Sequence, residues 1–291
     1  MIQDRDELRH QPTQKLSFSE SKWFSFYDGE LEFWVSCRIG LEPNRGKANR
    51  WVVIAYKGKV VFHDLSVNLD LPASDWTDIT ISGLHFQTLR TMFDYRIRYV
   101  SDEVKFDIIW KAATPVFDYK ECKVPLPPSL AAEHYEQSGK VSGSFEYQGV
   151  VHSISGFGHR DHSWGVRHWE GFRGWVAFMA PFGAGSYLHL EEFNDEASGV
   201  TRHGFLYHNG RNIPLRDADI ALDIPAGRQF PASFAIRLYD VEGGQYCFSG
   251  DLCLTSPIHF GRCQVGESFG TYRDAQGLET LGIIEYGFTH S

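Results

Sequence analysis

The sequence predicts an all-β protein built from antiparallel strands, with very little helix. Many short segments alternate apolar and polar residues between regularly spaced turn signals, which is typical of sandwiches and barrels. Aromatic residues, which favour strands, make up 15% of the 291 residues. One stretch carries a helix signal, where Ser129 could cap a short helical turn through residues 130–134. Two halves of similar length predict two barrel-like β domains.

The N-terminal half contains the clearest strand patterns. Residues 1–22 are polar and predict an arm or a loosely docked segment. Residues 31–39 alternate, which places five apolar side chains on one face of a strand. Those side chains are Leu31, Phe33, Val35, Cys37 and Ile39. Further strands are predicted at 51–56, 60–62, 77–86, 95–100 and 104–111.

A proline-rich segment at residues 124–128 interrupts this series. A proline has no N–H to donate to a sheet, so these residues cannot form a central strand. Because Ser138-Gly139 ends the short helical turn that follows, we predict one domain at residues 1–138 and a second at 139–291. Strands resume after this point. They are predicted at 141–147, from 150 into the segment described below, and at 174–180, 186–193, 201–207, 218–224, 233–239, 246–254 and 280–288.

Charge and composition exclude several classes of function. The net charge of −9 argues against a nucleic-acid partner and against an anionic membrane surface. No stretch approaches the roughly 20 apolar residues that a membrane helix needs. The first 14 residues lack the apolar region of a secretory signal, so we expect a cytoplasmic protein. Five cysteines without a C-x-x-C pair favour neither a disulfide framework nor a zinc ribbon.

Residues 156–169 are the densest group of polar and aromatic side chains in the chain. They include three histidines, two arginines, an aspartate and two tryptophans. In a strand, successive side chains point to opposite faces. One face would carry His159, Asp161 and Ser163, and the other Arg160, His162 and Trp164. Neither face is apolar, so the segment is either a functional site or a structural ion-pair cluster.

The same region resembles a known superfamily. The residues concerned are His134-Tyr135-Glu136-Gln137-Ser138-Gly139, then a strand, then Gly156-x-Gly158-x-Arg160-Asp161-His162-Ser163-Trp164-Gly165-x-Arg167-x-Trp169. They resemble the hydroxyneurosporene synthase (carotenoid 1,2-hydratase) and AttH-like superfamily, and in particular its bacterial branch. The resemblance is clear over about residues 134–169 and is one of pattern elsewhere.

This resemblance implies two consecutive lipocalin-like (calycin) β domains, the second of which would carry the G-x-G-x-R-D-H-S-W-G motif. It also implies kinship with enzymes that hydrate, isomerise or cyclise lipophilic polyenes and terpenoids, including some Diels–Alderases. The sequence departs from the family at His168, where an acidic residue is expected. A reaction scheme that needs that carboxylate therefore does not carry over. A shared fold does not fix the reaction.

Asp161, His162 and Arg160 are the candidate catalytic residues. His162 could donate or shuttle a proton near neutral pH, or it could be a hydrogen-bonded core histidine. Asp161 could relay a proton if burial raised its pKa. The neighbouring arginines Arg160 and Arg167 favour an ionised Asp161, which counts against its role as an acid. A buried ion pair is the alternative.

Six aromatic residues are candidates for binding an apolar substrate: Trp34, Trp164, Trp169, Trp175, Phe178 and Tyr135. Aromatic faces can stabilise a carbocation. The alternatives are core packing for the tryptophans and bracing of the two domains for Tyr135. His189 and Glu191 would share one face of a strand, as a ligand or acid–base pair or as a solvated edge.

The sequence predicts no cofactor and no metal. His159 and His162 would point to opposite sides of a strand, and metal-binding spacings such as H-E-x-x-H are absent. A phosphate-binding loop and a G-x-S-x-G nucleophile elbow are absent as well. The expected partner is a small lipophilic molecule, and a homodimer remains open.

Two functions are consistent with these patterns. The first is a cofactor-independent enzyme of the lyase or isomerase type that acts on a terpenoid, steroid or polyene. Such a site needs an apolar cavity and a few polar groups that place protons and charge. The second is a non-catalytic carrier of a lipophilic ligand. Titratable side chains that project into a cavity would distinguish the enzyme from the carrier.

Overall fold

The computed structural model describes residues 2–182, 185–260 and 262–289. Strands contain 68% of the described residues and helices 5%, which confirms the all-β prediction. The helices are short 3₁₀ turns at Asp4–Glu7, Pro43–Arg45, Tyr119–Cys122 and Trp169–Gly171. In the ranges described, no helix has the length and apolar character needed to cross a membrane. The chain forms two compact units.

The N-terminal unit comprises the chain up to Asp118 together with Ala131–Arg167. Its strands form one curled antiparallel sheet in the order β4-β3-β2-β1-β11-β10-β8-β7-β6-β5, with β9 paired to β10. The strands are β1 (Phe18–Asp28), β2 (Phe33–Glu42), β3 (Lys47–Tyr56), β4 (Lys59–Asp70), β5 (Asp78–Ile81), β6 (Leu84–Arg90), β7 (Asp94–Val100), β8 (Val104–Ala112), β9 (Phe117–Asp118), β10 (Glu133–Tyr147) and β11 (Val150–Val166).

Alternation along these strands directs one set of side chains into the core of the curled sheet. From the predicted strand at 31–39, Phe33, Val35, Cys37 and Ile39 are fully buried in that core. Aromatic residues from other strands fill the rest of it. They include Phe24, Phe26, Phe86, Tyr95, Phe106, Trp110 and Phe145. We call this side of the sheet the inner face.

The C-terminal unit comprises Tyr119–Leu130 and the chain from His168 onward. Eight antiparallel strands close into a barrel in chain order, because the last strand pairs with the first. They are β12 (Phe172–Phe182), β13 (Ser186–Asp195), β14 (Gly199–His208), β15 (Arg211–Asp223), β16 (Ser233–Asp240), β17 (Gln245–Phe260), β18 (Cys263–Asp274) and β19 (Glu279–Thr289). Phe178, Leu190, Phe234 and Tyr272 are buried in the barrel core.

The observed division of the chain differs from the predicted boundary at residue 138. Strand β10 runs through Ser138-Gly139 without a break, and β11 carries the polar motif in the N-terminal unit rather than in a domain at 139–291. The predicted helical turn at 130–134 is also wrong, because β10 has already begun at Glu133. Gly139 does not end an element. It lies opposite Gly158 in the sheet, where a side chain would collide with Trp110.

Candidate functional site

Strand β11 lies between β1 and β10 and carries the polar motif. His162 is paired with Lys22 on β1 and with Tyr135 on β10. The alternation of side chains along β11 separates the motif into two faces, as predicted. Arg160, His162 and Trp164 share a face with the inner residues of β1 and β10, whereas His159, Asp161 and Ser163 lie on the opposite face.

The inner face ends in a cluster of charged and phenolic groups around the Glu7 carboxylate. Glu7 belongs to the first 3₁₀ turn, and its side chain is only 1% exposed. Tyr95 and Tyr135 donate hydroxyl hydrogen bonds to Glu7 Oε1 at 2.7 and 2.6 Å. The Arg160 guanidinium lies 2.7 Å from the same oxygen. Lys22 Nζ lies 2.5 Å from Oε2. Four side chains from four strands therefore converge on one carboxylate.

These contacts determine the charge of the cluster. Burial raises the pKa of the Glu7 carboxyl, but the positive charges of Arg160 and Lys22 outweigh it and hold that pKa well below its usual range. Burial, followed by the charge of Glu7, raises the pKa of Tyr135 well above its usual value. Arg160 also stacks its guanidinium over the Tyr95 ring at 4.3 Å. At neutral pH the cluster holds an ionised carboxylate, two cations and neutral phenols.

His162 is fully buried beside this cluster, and both of its ring nitrogens have partners. Nδ1 lies 3.0 Å from the Tyr135 hydroxyl, and Nε2 lies 2.8 Å from Glu20 Oε1. Burial, followed by the ammonium of Lys22, lowers the pKa of His162 to about 4 against the attraction of Glu20. The imidazole is therefore neutral near pH 7, the state in which it can accept a proton.

Glu20 joins His162 to a second histidine, His10, in the N-terminal segment. His10 Nδ1 lies 2.8 Å from Glu20 Oε1, and the His10 backbone N–H donates to Oε2 at 3.0 Å. Burial raises the pKa of Glu20, but hydrogen bonds and charge from the two histidines lower it to about 2. The His10 ring stacks on Trp164 with centroids 3.8 Å apart. Trp76 packs edge-on against His162 at 5.8 Å.

The opposite face of the same strands carries a separate cluster of buried histidines. Glu136 accepts from His134 Nε2 and His159 Nε2, each at 2.7 Å. Ser138 Oγ lies 3.0 Å from His159 Nδ1. This face therefore repeats the histidine–carboxylate–histidine arrangement of the inner face with different residues.

Asp161 lies on the opposite face from His162, which corrects the expectation that the two residues form one proton-transfer pair. Neighbouring residues of a strand point to opposite sides, so the two side chains cannot reach the same reacting group. Asp161 is half-buried and accepts a hydrogen bond from the Trp23 backbone N–H at 2.9 Å. Burial and repulsion by Arg38 lower the pKa of Arg167 to about 9, and the negative charge of Asp161 acts against this by favouring the charged guanidinium. These contacts indicate a structural role.

Only two of the six predicted substrate-binding residues, Trp164 and Tyr135, lie beside His162. Trp34 is buried outside the core of the curled sheet, where its Nε1 donates to Ser25 Oγ at 3.0 Å. The other three belong to the C-terminal unit. Phe178 packs inside the barrel, whereas Trp175 alternates with core residues on β12 and contacts Trp169. The sequence alone does not separate these positions, because strands from distant parts of the chain determine which aromatic rings meet.

His189 and Glu191 are buried in the C-terminal unit rather than on a solvated edge. Both contact the hydroxyl of Tyr119, with His189 Nε2 at 2.7 Å and the Glu191 carboxylate accepting the hydroxyl proton. His203 stacks against the Tyr119 ring at 4.9 Å. Burial lowers the pKa of His189 to about 3 and that of His203 to about 4. Tyr119 lies in the short first segment of a discontinuous unit and β13 in the second, so no local signal linked them.

The C-terminal barrel also has a cavity of about 360 Å³ at one end. Its wall is largely apolar and aromatic, with hydroxyl groups at intervals. The lining includes Phe182, Tyr187, Leu206, Tyr207, Tyr246 and Phe248. A cavity of this size suits a small lipophilic molecule.

One group of side chains on the inner face has the composition of a metal site. One ligand atom each from His10, Glu20 and His162 lies within 4.8 Å of the other two. Two imidazoles and a carboxylate could hold zinc or iron. The distances of 2.8 Å from Glu20 Oε1 to each ring are those of hydrogen bonds, which account for the cluster without an ion.

The most important site residues that sequence reasoning missed lie outside the motif. All four belong to residues 1–22, which were predicted to be a loose arm: Glu7 and His10 precede the first strand, whereas Glu20 and Lys22 already lie in β1. In the sequence, Glu7, Glu20 and Lys22 stand among other polar residues, a pattern that is typical of a solvent-exposed segment. Glu20 and Lys22 lie on a strand inside the sheet, and the Glu7 carboxylate is held by contacts from four strands of that sheet.

Comparison with solved structures finds the same fold at low sequence identity. Kievitone hydratase from Nectria haematococca matches with a TM-score of 0.72 and 14% identity, over 99% of this chain and 93% of that one. A putative AttH (NE1406) from Nitrosomonas europaea matches with a TM-score of 0.69 and 14% identity, over 92% of each chain. CghA matches with a TM-score of 0.66 and 10% identity, over 94% of this chain and 88% of that one. These matches confirm the resemblance to AttH-like proteins at the level of the fold.

The sequence comparisons add one family. No curated protein matches the chain. A family model described as a domain of unknown function (DUF7064) matches residues 3–289, almost the whole sequence. The chain therefore belongs to the DUF7064 family and has the lipocalin-like fold of the AttH-like proteins.

Proposed function

We propose that the protein is a cofactor-independent enzyme that moves a proton to or from a lipophilic terpenoid, steroid or polyene. The reaction would be a hydration or dehydration, an isomerisation or a cyclisation. The observation that carries this proposal is His162, fully buried with Tyr135 at one ring nitrogen and Glu20 at the other. Burying this many titratable groups is costly, and such clusters are concentrated at functional sites.

Each neighbour of His162 has a distinct role in this proposal. His162 and Tyr135 form the proton-transfer pair, because the imidazole Nδ1 and the phenol oxygen lie 3.0 Å apart, within the distance of a direct proton transfer. Glu20 fixes the orientation of the imidazole. Arg160, expected to be catalytic, instead holds Glu7 together with Lys22. Trp164 and Trp76 provide aromatic surface beside the imidazole.

The fold supports the same class of reaction. One structural relative is named kievitone hydratase, so this architecture accommodates a hydratase. The catalysed step in a hydration or an isomerisation of an alkene is the placement of a proton, for which His162 and Tyr135 are suited.

The test compares wild type, His162→Gln and His159→Gln against a panel of acyclic and cyclic terpenoids and steroids. Binding and product formation are followed separately. A positioned proton-transfer group contributes about 10²–10⁴-fold, so His162→Gln should lower turnover by that factor and leave affinity nearly intact. His159 is a matched control, because it is also a buried histidine of β11 but lies on the opposite face.

The control separates two outcomes that contradict the proposal. Equal losses in both variants would indicate a general effect on β11. A loss confined to His159→Gln would place the chemistry on the opposite face, around Glu136.

The cavity in the C-terminal barrel favours a second candidate, a non-catalytic carrier of a lipophilic ligand. A carrier would bind members of the panel without converting them. Leu206→Trp would fill part of the cavity and weaken that binding, whereas His162→Gln would not change it. Conversion of any panel member by wild type would reject the carrier.

A further inference from the structure

Two imidazoles share one carboxylate oxygen at the inner face of the N-terminal unit. Glu20 Oε1 lies 2.8 Å from His10 Nδ1 and 2.8 Å from His162 Nε2. Beyond His162, the Tyr135 hydroxyl lies 3.0 Å from Nδ1 and 2.6 Å from Glu7 Oε1. Every step from His10 to Glu7 is therefore within hydrogen-bond distance.

Exposure to solvent falls along this line of residues. The His10 side chain is 20% exposed, whereas those of Glu20 and His162 are fully buried. Asp6 Oδ1 lies 3.8 Å from His10 Nε2, so a carboxylate faces the outer nitrogen of His10. His10 is therefore the end of the line that can exchange protons with water.

A count of protons shows that the line can hold one more than its resting residues supply. The three contacts between Glu7, Tyr135, His162 and Glu20 need one proton each. The two ionised carboxylates supply none, and the Tyr135 hydroxyl supplies one. A neutral His162 supplies one more, on either ring nitrogen. One contact therefore lacks a proton, and an incoming proton can occupy it.

We propose that His10, Glu20 and His162 form a proton relay that connects solvent to the Tyr135 hydroxyl. His10 then acts as a relay residue for the reaction, at a distance from the substrate. This inference rests on the proposed function of His162 and adds the route by which His162 exchanges its proton with water.

The relay conserves protons at each step. A hydronium ion gives its proton to His10 Nε2 and leaves as water, while the His10 Nδ1 proton passes to Glu20 Oε1. Glu20 passes a proton to His162 Nε2 in the tautomer that carries its own proton on Nδ1. That Nδ1 proton passes to the Tyr135 oxygen. The Tyr135 hydroxyl proton, which at rest is donated to Glu7 Oε1, leaves that hydrogen bond and moves to the reacting group. Each transfer within the relay breaks one N–H or O–H bond and forms one, the last transfer forms a bond at the reacting group, and each residue of the relay regains its original charge.

The experiment measures exchange of the His162 ring N–H with water by nitrogen-15 NMR, without any substrate. EDTA is present because His10, Glu20 and His162 could also hold an ion. His10→Phe keeps an aromatic ring on Trp164 and removes the nitrogen that contacts Glu20. We expect His162 exchange to slow by at least about a hundredfold, the lower end of the effects of a positioned proton-transfer group.

Two further variants make the outcome decisive. His85→Phe is the matched control, because His85 also contacts a carboxylate, Asp78 at 2.8 Å, but lies outside the relay. We expect wild-type exchange in this control. His10→Ala leaves space beside Trp164, and added imidazole should restore fast exchange there. Wild-type exchange in His10→Phe, or no effect of imidazole on His10→Ala, would overturn the relay. Since no substrate is used, a failure of the proposed reaction leaves this result interpretable.

Discussion

Glu7 is the carboxylate on which two buried cations of the N-terminal unit converge. Lys22 Nζ and the Arg160 guanidinium lie 2.5 and 2.7 Å from its two oxygens. Removing one member of a buried ion pair leaves its partner uncompensated in a medium of low dielectric constant, which costs about 3–5 kcal/mol. The first 3₁₀ turn therefore contributes to stability through one side chain.

We predict that Glu7→Gln lowers the free energy of unfolding by about 3–5 kcal/mol, as measured by urea denaturation. Asp4→Asn is the matched control, because Asp4 belongs to the same turn but is exposed. Exposed substitutions usually change stability by about 0.5 kcal/mol or less. Equal stability of the two variants would show that Glu7 does not compensate the cations.

At this scale the sequence predicts the direction of side chains and not their partners. The alternation of β11 correctly separates His162 from His159, because the period of a strand is fixed by its backbone. Nothing in the sequence places Glu7 against Arg160, since 153 positions separate them and only the folded sheet brings them together. For the same reason, the sequence does not show that Asp161 contacts the Trp23 backbone while His162 contacts Tyr135 and Glu20.

At the scale of elements, two glycines on paired strands make room for one tryptophan. Gly139 on β10 lies opposite Gly158 on β11. A Cβ atom would lie 2.3 Å from the Trp110 ring at Gly139 and 2.8 Å from it at Gly158. The indole therefore packs over the glycines and lies 5.6 Å from the Arg160 guanidinium.

We predict that Gly139→Ala lowers the free energy of unfolding by about 1–3 kcal/mol, because the added methyl group overpacks this contact. Lys140→Ala, at the next position and exposed, should have little effect. Thermal unfolding of both variants provides the measurement. A Gly139→Ala variant as stable as Lys140→Ala would mean that Trp110 can move aside at little cost.

These glycines also explain why the domain boundary was wrong. Glycine and proline are the usual punctuation between elements, so Ser138-Gly139 after a proline-rich segment predicted an end. In a sheet, glycine can instead mark a close approach of a large side chain. The sequence pattern is the same in both cases, and only the position of Trp110 distinguishes them.

At the scale of the whole molecule, buried neutral histidines determine the response to acid. The pKa values of His162, His189 and His203 are lowered by burial to about 4, 3 and 4. In an unfolded chain each would be about 6.5. Between these values the unfolded chain binds more protons than the folded one, so stability falls as the pH falls.

We predict that stability decreases from about pH 6.5 downward. One proton corresponds to about 1.4 kcal/mol per pH unit, and His162→Gln should reduce the slope by up to this amount. Urea denaturation at a series of pH values, for wild type and His162→Gln, measures both the decrease and the change in slope. Below about pH 4.5, protonation of Glu20, whose folded pKa is about 2, should lower stability further. A slope unaffected by His162→Gln would contradict a buried neutral imidazole.

Proton transfer by His162 and Tyr135 can be measured by running the reaction in deuterated water. A substrate identified from the panel is incubated with wild type and His162→Gln, and the carbon-bound deuterium of product and recovered substrate is measured by mass spectrometry. We expect wild type to introduce deuterium at carbon and His162→Gln to lose this activity along with turnover. Conversion without deuterium in either compound, or equal incorporation by His162→Gln, would contradict this expectation.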